Sequence, residues 1–142
     1  MSKGDSFENS LLKMIFQATA IANLCDNASS SPLTNLFVAL HKGDPGEAGV
    51  MTTSESDYGA YARVAVARTT VGWTIATNTV TPAATISFPA STSGTNTITH
   101  FSIGSVTTGA GVLFYSGTVT PNIVVTSGVT PQLTTASTVT ED

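Results

Sequence analysis

Apolar residues recur at helical spacing early in the chain and at strand spacing after it. Phe7, Leu11, Met14, Ile15, Ala18, Ile21 and Ala22 fall on one stripe of a 3.6-residue period. Asp5 and Glu8 stand at the spacing of a capping box, and both carboxylates favour a helix N-terminus. The pattern predicts one amphipathic helix over 6–24, fading in the Asn and Asp cluster of 23–27 before Ser29-Ser30-Ser31-Pro32 breaks it. Its outer face carries only Glu8 and Lys13, so the helix is expected to pack on a sheet or a neighbour.

From Leu33 onward the period is that of strands. Leu36-Phe37-Val38-Ala39-Leu40 is short, wholly apolar and bounded by turn residues, which predicts a buried strand. Residues 42–60 read as one polar, acidic loop, and 61–68 alternate as a strand. Further strands are expected over 72–76, 84–88, 97–103, 112–118, 123–126 and 133–139. Thr77-Asn78, Pro89, Ser93-Gly94-Thr95-Asn96, Gly109-Ala110-Gly111, Pro121-Asn122, Gly128 and Pro131 separate them as turns. Short strands at such spacing, rich in Thr, Val and Ile, predict a mainly β fold: an antiparallel β-sandwich or jelly-roll-like domain with one N-terminal α-helix. Residues 1–32 are read as helix and linker, and 33–142 as the β-sandwich of a single globular domain.

Charge changes this picture. Charged residues are 10% of the chain, against about 25% in an average soluble domain. All but Glu141 and Asp142 lie in the first 68 residues, and between Thr69 and Thr140 there is no Asp, Glu, Lys or Arg. A free monomer normally interleaves surface charge and guards its sheet edges with Lys. A hydroxyl-rich surface is instead cheap to desolvate, as suits a chain covered by copies of itself or by a larger assembly. A plain Thr-rich β domain reads the same way. Five Lys and Arg residues are too few for a nucleic-acid footprint. No apolar run reaches the length of a membrane span, and no basic-then-apolar leader opens the sequence. A soluble protein without an export signal is expected, with neither nucleic acid nor membrane as partner.

The inventory of reactive groups is thin. There is no G-x-S-x-G elbow, and Cys25 beside Asp26 is in no setting that favours a thiolate. A single Cys excludes a disulfide framework and a Cys-based zinc site. His41 with Asp44, Glu47, Glu55 and Asp57 has the ligand types for calcium, but not the spacing of a helix–loop–helix calcium loop, and a solvated acidic loop is the simpler reading. Alternation sets His100 opposite Phe101 and Ile103, as a hydrogen-bonding histidine on a sheet face or at a subunit contact. Gly109-Ala110-Gly111 is a hairpin turn, not a phosphate cradle. Asn27-Ala28-Ser29 matches a glycosylation acceptor, which has no meaning without a secretory leader. Arg63 and Arg68 fall on opposite faces of one strand, and either can pair with the acidic loop or with a partner's carboxylate. No enzyme, cofactor or metal is expected.

The chain resembles a family of small tailed-bacteriophage virion proteins. The resemblance lies in Leu36 to His41 followed by Asp44-Pro45-Gly46, in Tyr61-Ala62-Arg63, in Phe88-Pro89 and in Ile98 to Gly104. Gly111 to Gly117, Gly128-Val129-Thr130-Pro131 and the N-terminal Asn9, Leu11 and Leu12 complete it, in order along nearly the whole chain. Such proteins often bear a generic tail-fibre label, while their size and β domain resemble head decoration, or cement, proteins. The resemblance implies a virion structural protein without catalytic residues, made in the host cytoplasm. The favoured version is a cement protein on the capsid exterior, bound to the major capsid protein and to itself as a dimer or trimer. The alternative is a small tail, baseplate or tail-fibre component, and a more distant one a receptor- or carbohydrate-binding β-sandwich. The helix and the acidic loop carry most of the charge, so Phe7, Leu11, Lys13, Lys42, Asp44, Glu47, Arg63 and Arg68 are the expected docking residues.

Overall fold

The computed structural model describes residues 5–21 and 32–141. In chain order the elements are α1 (Asp5–Gln17), β1 (Asn35–His41), β2 (Val64–Ala67), β3 (Trp73–Ala76), β4 (Thr79–Pro82), β5 (Ile86–Ser87), β6 (Asn96–Gly104), β7 (Leu113–Val125), β8 (Gln132–Leu133) and β9 (Val139–Thr140). The chain is mainly β, with antiparallel pairings and one short helix, as a β-sandwich domain requires. Two compact units arise: one within Met1–Asn35, Ala67–Thr85 and Thr134–Asp142, the other of Leu36–Val66 and Ile86–Leu133.

In the first unit α1 packs on the sheet β3-β4-β9. Leu12 and Phe16 on the helix and Trp73 of β3 are buried, and the Phe16 and Trp73 rings lie edge to face at 4.8 Å. Polar side chains pin the helix to the hairpin below it. Asn9 Nδ2 donates to the Thr77 carbonyl at 2.6 Å and Gln17 Nε2 to the Trp73 carbonyl at 3.3 Å.

The helix stops at Gln17, well short of 24; residues 22–24 lie outside the described residues. Two causes are visible. Ala18 takes a left-handed backbone, φ 54°, and the Thr19 N–H turns back to the Lys13 carbonyl at 3.1 Å. The Arg68 guanidinium then donates to the carbonyls of Met14 and Ile15, and to that of Leu33 at 3.3 Å. A cation on the last carbonyls of a helix favours that end by about 0.3–1 kcal/mol, more where it is partly buried.

The second unit is built on the sheet β2-β1-β6-β7 with the small pair β5-β8. Val38 pairs with Ile103 and Ile103 with Tyr115; Leu40 pairs with Phe101 and Phe101 with Gly117. These positions share one face of the sheet. Leu36, Val38, Leu40, Ile98, Phe101 and Ile103 are buried, as the apolar run in β1 requires.

Several strand boundaries differ from expectation. The strand over 61–68 shrinks to β2, because the Tyr61 hydroxyl instead takes the Leu40 N–H at 3.0 Å. That over 84–88 shrinks to β5, and 133–139 divides into β8 and β9 at a turn where Ser137 N–H meets the Thr134 carbonyl. β4 was not expected; it pairs with β3 through the two-residue turn Thr77-Asn78. The segments 112–118 and 123–126 join in β7, yet the ladder skips from Thr118 to Ile123, so residues 119–122 bulge where a turn was expected.

Candidate assembly surface

The acidic loop is a strap fastened to the sheet more than a free loop. The Ser56 N–H donates to the Leu40 carbonyl and the Lys42 N–H to the Ser54 carbonyl, each at 2.8 Å, so the strap runs beside the end of β1. Met51 is fully buried against Gly104, where an added Cβ would lie 2.3 Å from the Met51 sulfur; only glycine lets the strap close there.

Three polar groups hold the strap. His41, fully buried, has Nδ1 2.8 Å from the Thr53 carbonyl, so that nitrogen carries the proton. Its Nε2 then accepts from the Ser102 hydroxyl at 2.7 Å. Burial pushes its pKa below the usual imidazole value. Asn96 Oδ1 accepts from the Ser56 hydroxyl at 2.7 Å, the Asp57 N–H at 3.0 Å and the Tyr58 N–H at 3.1 Å. Its Nδ2 donates to Asp57 Oδ1 and to the Thr95 carbonyl.

Arg63 is the third. Its side chain is 2% exposed and that of its partner Glu55 16%, a bidentate pair at 2.6 and 2.7 Å. The same guanidinium reaches the carbonyls of Val106 at 3.0 Å and Gly109 at 2.8 Å in the β6–β7 connection. The Tyr61 hydroxyl donates to Glu55 Oε1 at 3.0 Å, and burial first among the causes raises its pKa. Tyr58, buried with its hydroxyl on the Pro89 carbonyl at 3.0 Å, is raised to about 12 by burial.

The expected docking residues therefore separate. Arg63 serves the interior, and Arg68 holds the end of α1, its pKa lowered by burial. Lys42 pairs on the surface with Asp57 at 2.8 Å, and the hydrogen bond from Lys42 lowers the Asp57 pKa. Asp44 accepts the Gly46 N–H at 2.8 Å in an exposed turn, and Glu47 is exposed. Lys13 is exposed and Leu11 half-buried; the Phe7 side chain lies outside the described residues, as do Cys25 and Asn27. The calcium ligand set does not assemble, since His41, Glu55 and Asp57 each have the protein partners just given. Among the described residues no three His, Cys, Asp or Glu side chains group to hold a metal, and no helix is long and apolar enough to cross a membrane. His100 is half-exposed on the face away from Phe101, its Nδ1 2.9 Å from the Thr99 hydroxyl.

A second surface did not stand out in the sequence. β7 closes one side of its sheet, and of its thirteen residues only Val125 is buried. Phe114 is 37% exposed and Val124 59%, with Val112 beside them at 60%. The signal was present in the run Leu113-Phe114-Tyr115-Ser116-Gly117-Thr118-Val119-Thr120, which carries no charge. A family model described as "Podophage GP4 fiber I protein gp80" matches residues 4–140.

The chain belongs to this fiber I family.

A phage virion structural role follows for it, as the resemblance implied. The description of the fiber I family names a fibre; it does not name head decoration. No curated protein matches the sequence.

Proposed function

We propose that this chain is a fibre component of a podophage tail, acting through structure and not through catalysis. The match to a fiber family over 4–140 supports this reading. The surface agrees with it: Arg63 and Arg68 are spent on internal contacts, and the strands beyond Thr69 present hydroxyl and apolar groups. Such a surface suits permanent burial against other subunits, since few charges must be desolvated. Leu11, Lys13, Lys42, Asp44 and Glu47 remain available for docking on a neighbouring virion protein.

A capsid cement protein is the second reading, favoured by the lack of heptads or repeats that a fibre shaft uses. Cement acts by mass action on the assembled shell, with avidity from many copies bound to the major capsid protein on the capsid exterior. Particles lacking the protein separate the two. A fibre component leaves heads that resist heat as wild type does, with the tail appendage missing and host adsorption reduced. Cement leaves adsorption normal and lowers the temperature at which particles burst. Heads that burst early and adsorb normally would overturn the fibre reading.

A further inference from the structure

We infer that residues 50–54 of the strap form a flap, held shut over the sheet by His41 and released when that histidine takes up a second proton, while the rest of the strap stays anchored. This goes beyond the fibre reading and holds for a cement protein alike.

The strap is fastened in two stretches. Residues 55–58 are held by Arg63 on Glu55 and by Asn96 on Ser56, Asp57 and Tyr58. Residues 50–54 close on themselves: the Thr53 N–H donates to the Val50 carbonyl at 2.9 Å, and the Val50 N–H to the Thr53 hydroxyl at 3.1 Å. This turn is tied down by the Met51 N–H on the Ala110 carbonyl at 2.9 Å and by the Lys42 N–H on the Ser54 carbonyl. The buried Met51 side chain and the Thr53 carbonyl on His41 Nδ1 add to these. Ser54, with a left-handed backbone at φ 53°, stands at the joint between the two stretches.

Of these ties, the one to His41 responds to protons. The neutral ring donates from Nδ1 and accepts at Nε2. A second proton must go to Nε2, where it faces the proton of the Ser102 hydroxyl. That hydroxyl then has to turn away, and Ser102 is itself fully buried. An enclosed imidazolium is costly, and the groups around it compensate little. Glu55 of the strap favours the cation but is already shared by Arg63 and the Tyr61 hydroxyl. Arg63 opposes it, as does His100, which pairs with His41 across β1 and β6. Lys42, next on β1, is engaged with Asp57 at the surface. The balance holds the His41 pKa below its ordinary value, with desolvation the first cause. Lifting Thr53 away lets water reach the ring, so proton uptake and opening favour each other. The same movement takes Met51 off Gly104 and off Arg63 Nη1.

Met51 reports the opening, because a buried thioether is shielded from peroxide and does not itself titrate. The full chain is oxidised with dilute hydrogen peroxide at about pH 7.5 and about pH 5, and each methionine is followed by peptide mass spectrometry. Met51 is expected to oxidise about tenfold faster at the lower pH, while Met14, half-buried on α1, keeps its rate. Amide protection is expected to fall by a similar factor at Met51 and Thr53 and to hold at Tyr58. His41→Asn keeps a donor near the Thr53 carbonyl but does not titrate, and is expected to oxidise Met51 at one rate at both pH values. Urea unfolding at about pH 7.5 checks that this variant folds; where it fails, the wild-type protection pattern and His100→Asn decide. His100→Asn is expected to keep the acid response. A Met51 rate equal at both pH values overturns the proposal. Loss of protection at Met51 and Tyr58 together overturns it too, since the whole strap or unit then opens. So does an acid response that survives in folded His41→Asn, or one that His100→Asn abolishes.

Discussion

The strap corner and the β7 edge belong to the same sheet and are built on opposite plans. At the corner, charged and polar groups are buried and each is matched: Arg63 with Glu55 and two carbonyls, His41 with Thr53 and Ser102, Asn96 with Ser56, Asp57 and Tyr58. At the edge no group is charged and only Val125 is buried. A matched buried network fixes one arrangement of loop on sheet, because each broken contact strands another group in low dielectric. An uncharged, half-exposed strand fixes little by itself, and its outward side chains can be changed without stranding a buried group. The corner is where substitutions are expected to unfold the unit; the edge is where they are expected to leave it folded.

The largest effect is expected at Arg63. Arg63→Met leaves Glu55 enclosed without its counter-charge and frees the carbonyls of Val106 and Gly109, and is expected to cost about 3–5 kcal/mol of unfolding free energy in urea. Arg63→Met with Glu55→Gln removes the stranded charge and recovers part of that loss. Equal destabilisation of single and double variants would show that packing of the guanidinium, not charge, carries the contribution.

Asn96→Ala comes next. It deprives the Ser56 hydroxyl and the N–H groups of Asp57 and Tyr58 of their acceptor at once, and a cost of about 1–3 kcal/mol is expected from unsatisfied buried donors. Amide exchange sharpens the test, because protection is expected to fall at Tyr58 while Phe101 keeps its own.

These two residues show what was legible in the sequence and what was not. β1 was, because its apolar run has no other reading, and so was the glycine turn before β7, where Gly109 and Gly111 take φ 79° and 52°. The possibility that Arg63 pairs with the acidic loop was open, and Glu55 proved to be the partner. Asn96 read as a turn residue, since its partners lie 38 to 40 positions away and leave no periodic trace. The end of α1 was hidden in the same way, as the Arg68 that takes its last carbonyls lies more than 50 residues downstream. Helical and strand periods encode which face is buried; they carry no record of which distant side chain completes a cap or a strap.

A pH dependence also distinguishes the corner from the edge. The folded His41 pKa lies below the ordinary value of 6.5, with desolvation the first cause. Above 6.5 the ring is neutral in folded and unfolded chains alike. As pH falls below it, the unfolded chain binds a proton that the fold resists, so the contribution of His41 is lost toward its folded pKa. Urea midpoints are expected to drop from about pH 7.5 to about pH 5 in the wild type, and by less in His41→Asn. A variant with the wild-type pH slope would assign the loss to other groups.

The smallest effect belongs to the edge. Thr118 is exposed and pairs with His100 of β6, so Thr118→Lys is expected to change the urea midpoint of the dilute chain by less than about 0.5 kcal/mol equivalent. Concentration then separates the two plans. If copies pair along β7, the wild-type midpoint rises with protein concentration, because association draws the folded state forward by mass action. A lysine in place of Thr118 puts a charge on a surface that association would bury, and the concentration dependence is expected to flatten while the dilute midpoint stays put. The reverse result, a lowered dilute midpoint with the concentration slope intact, would make Thr118 part of the internal framework and dissolve the contrast between edge and corner.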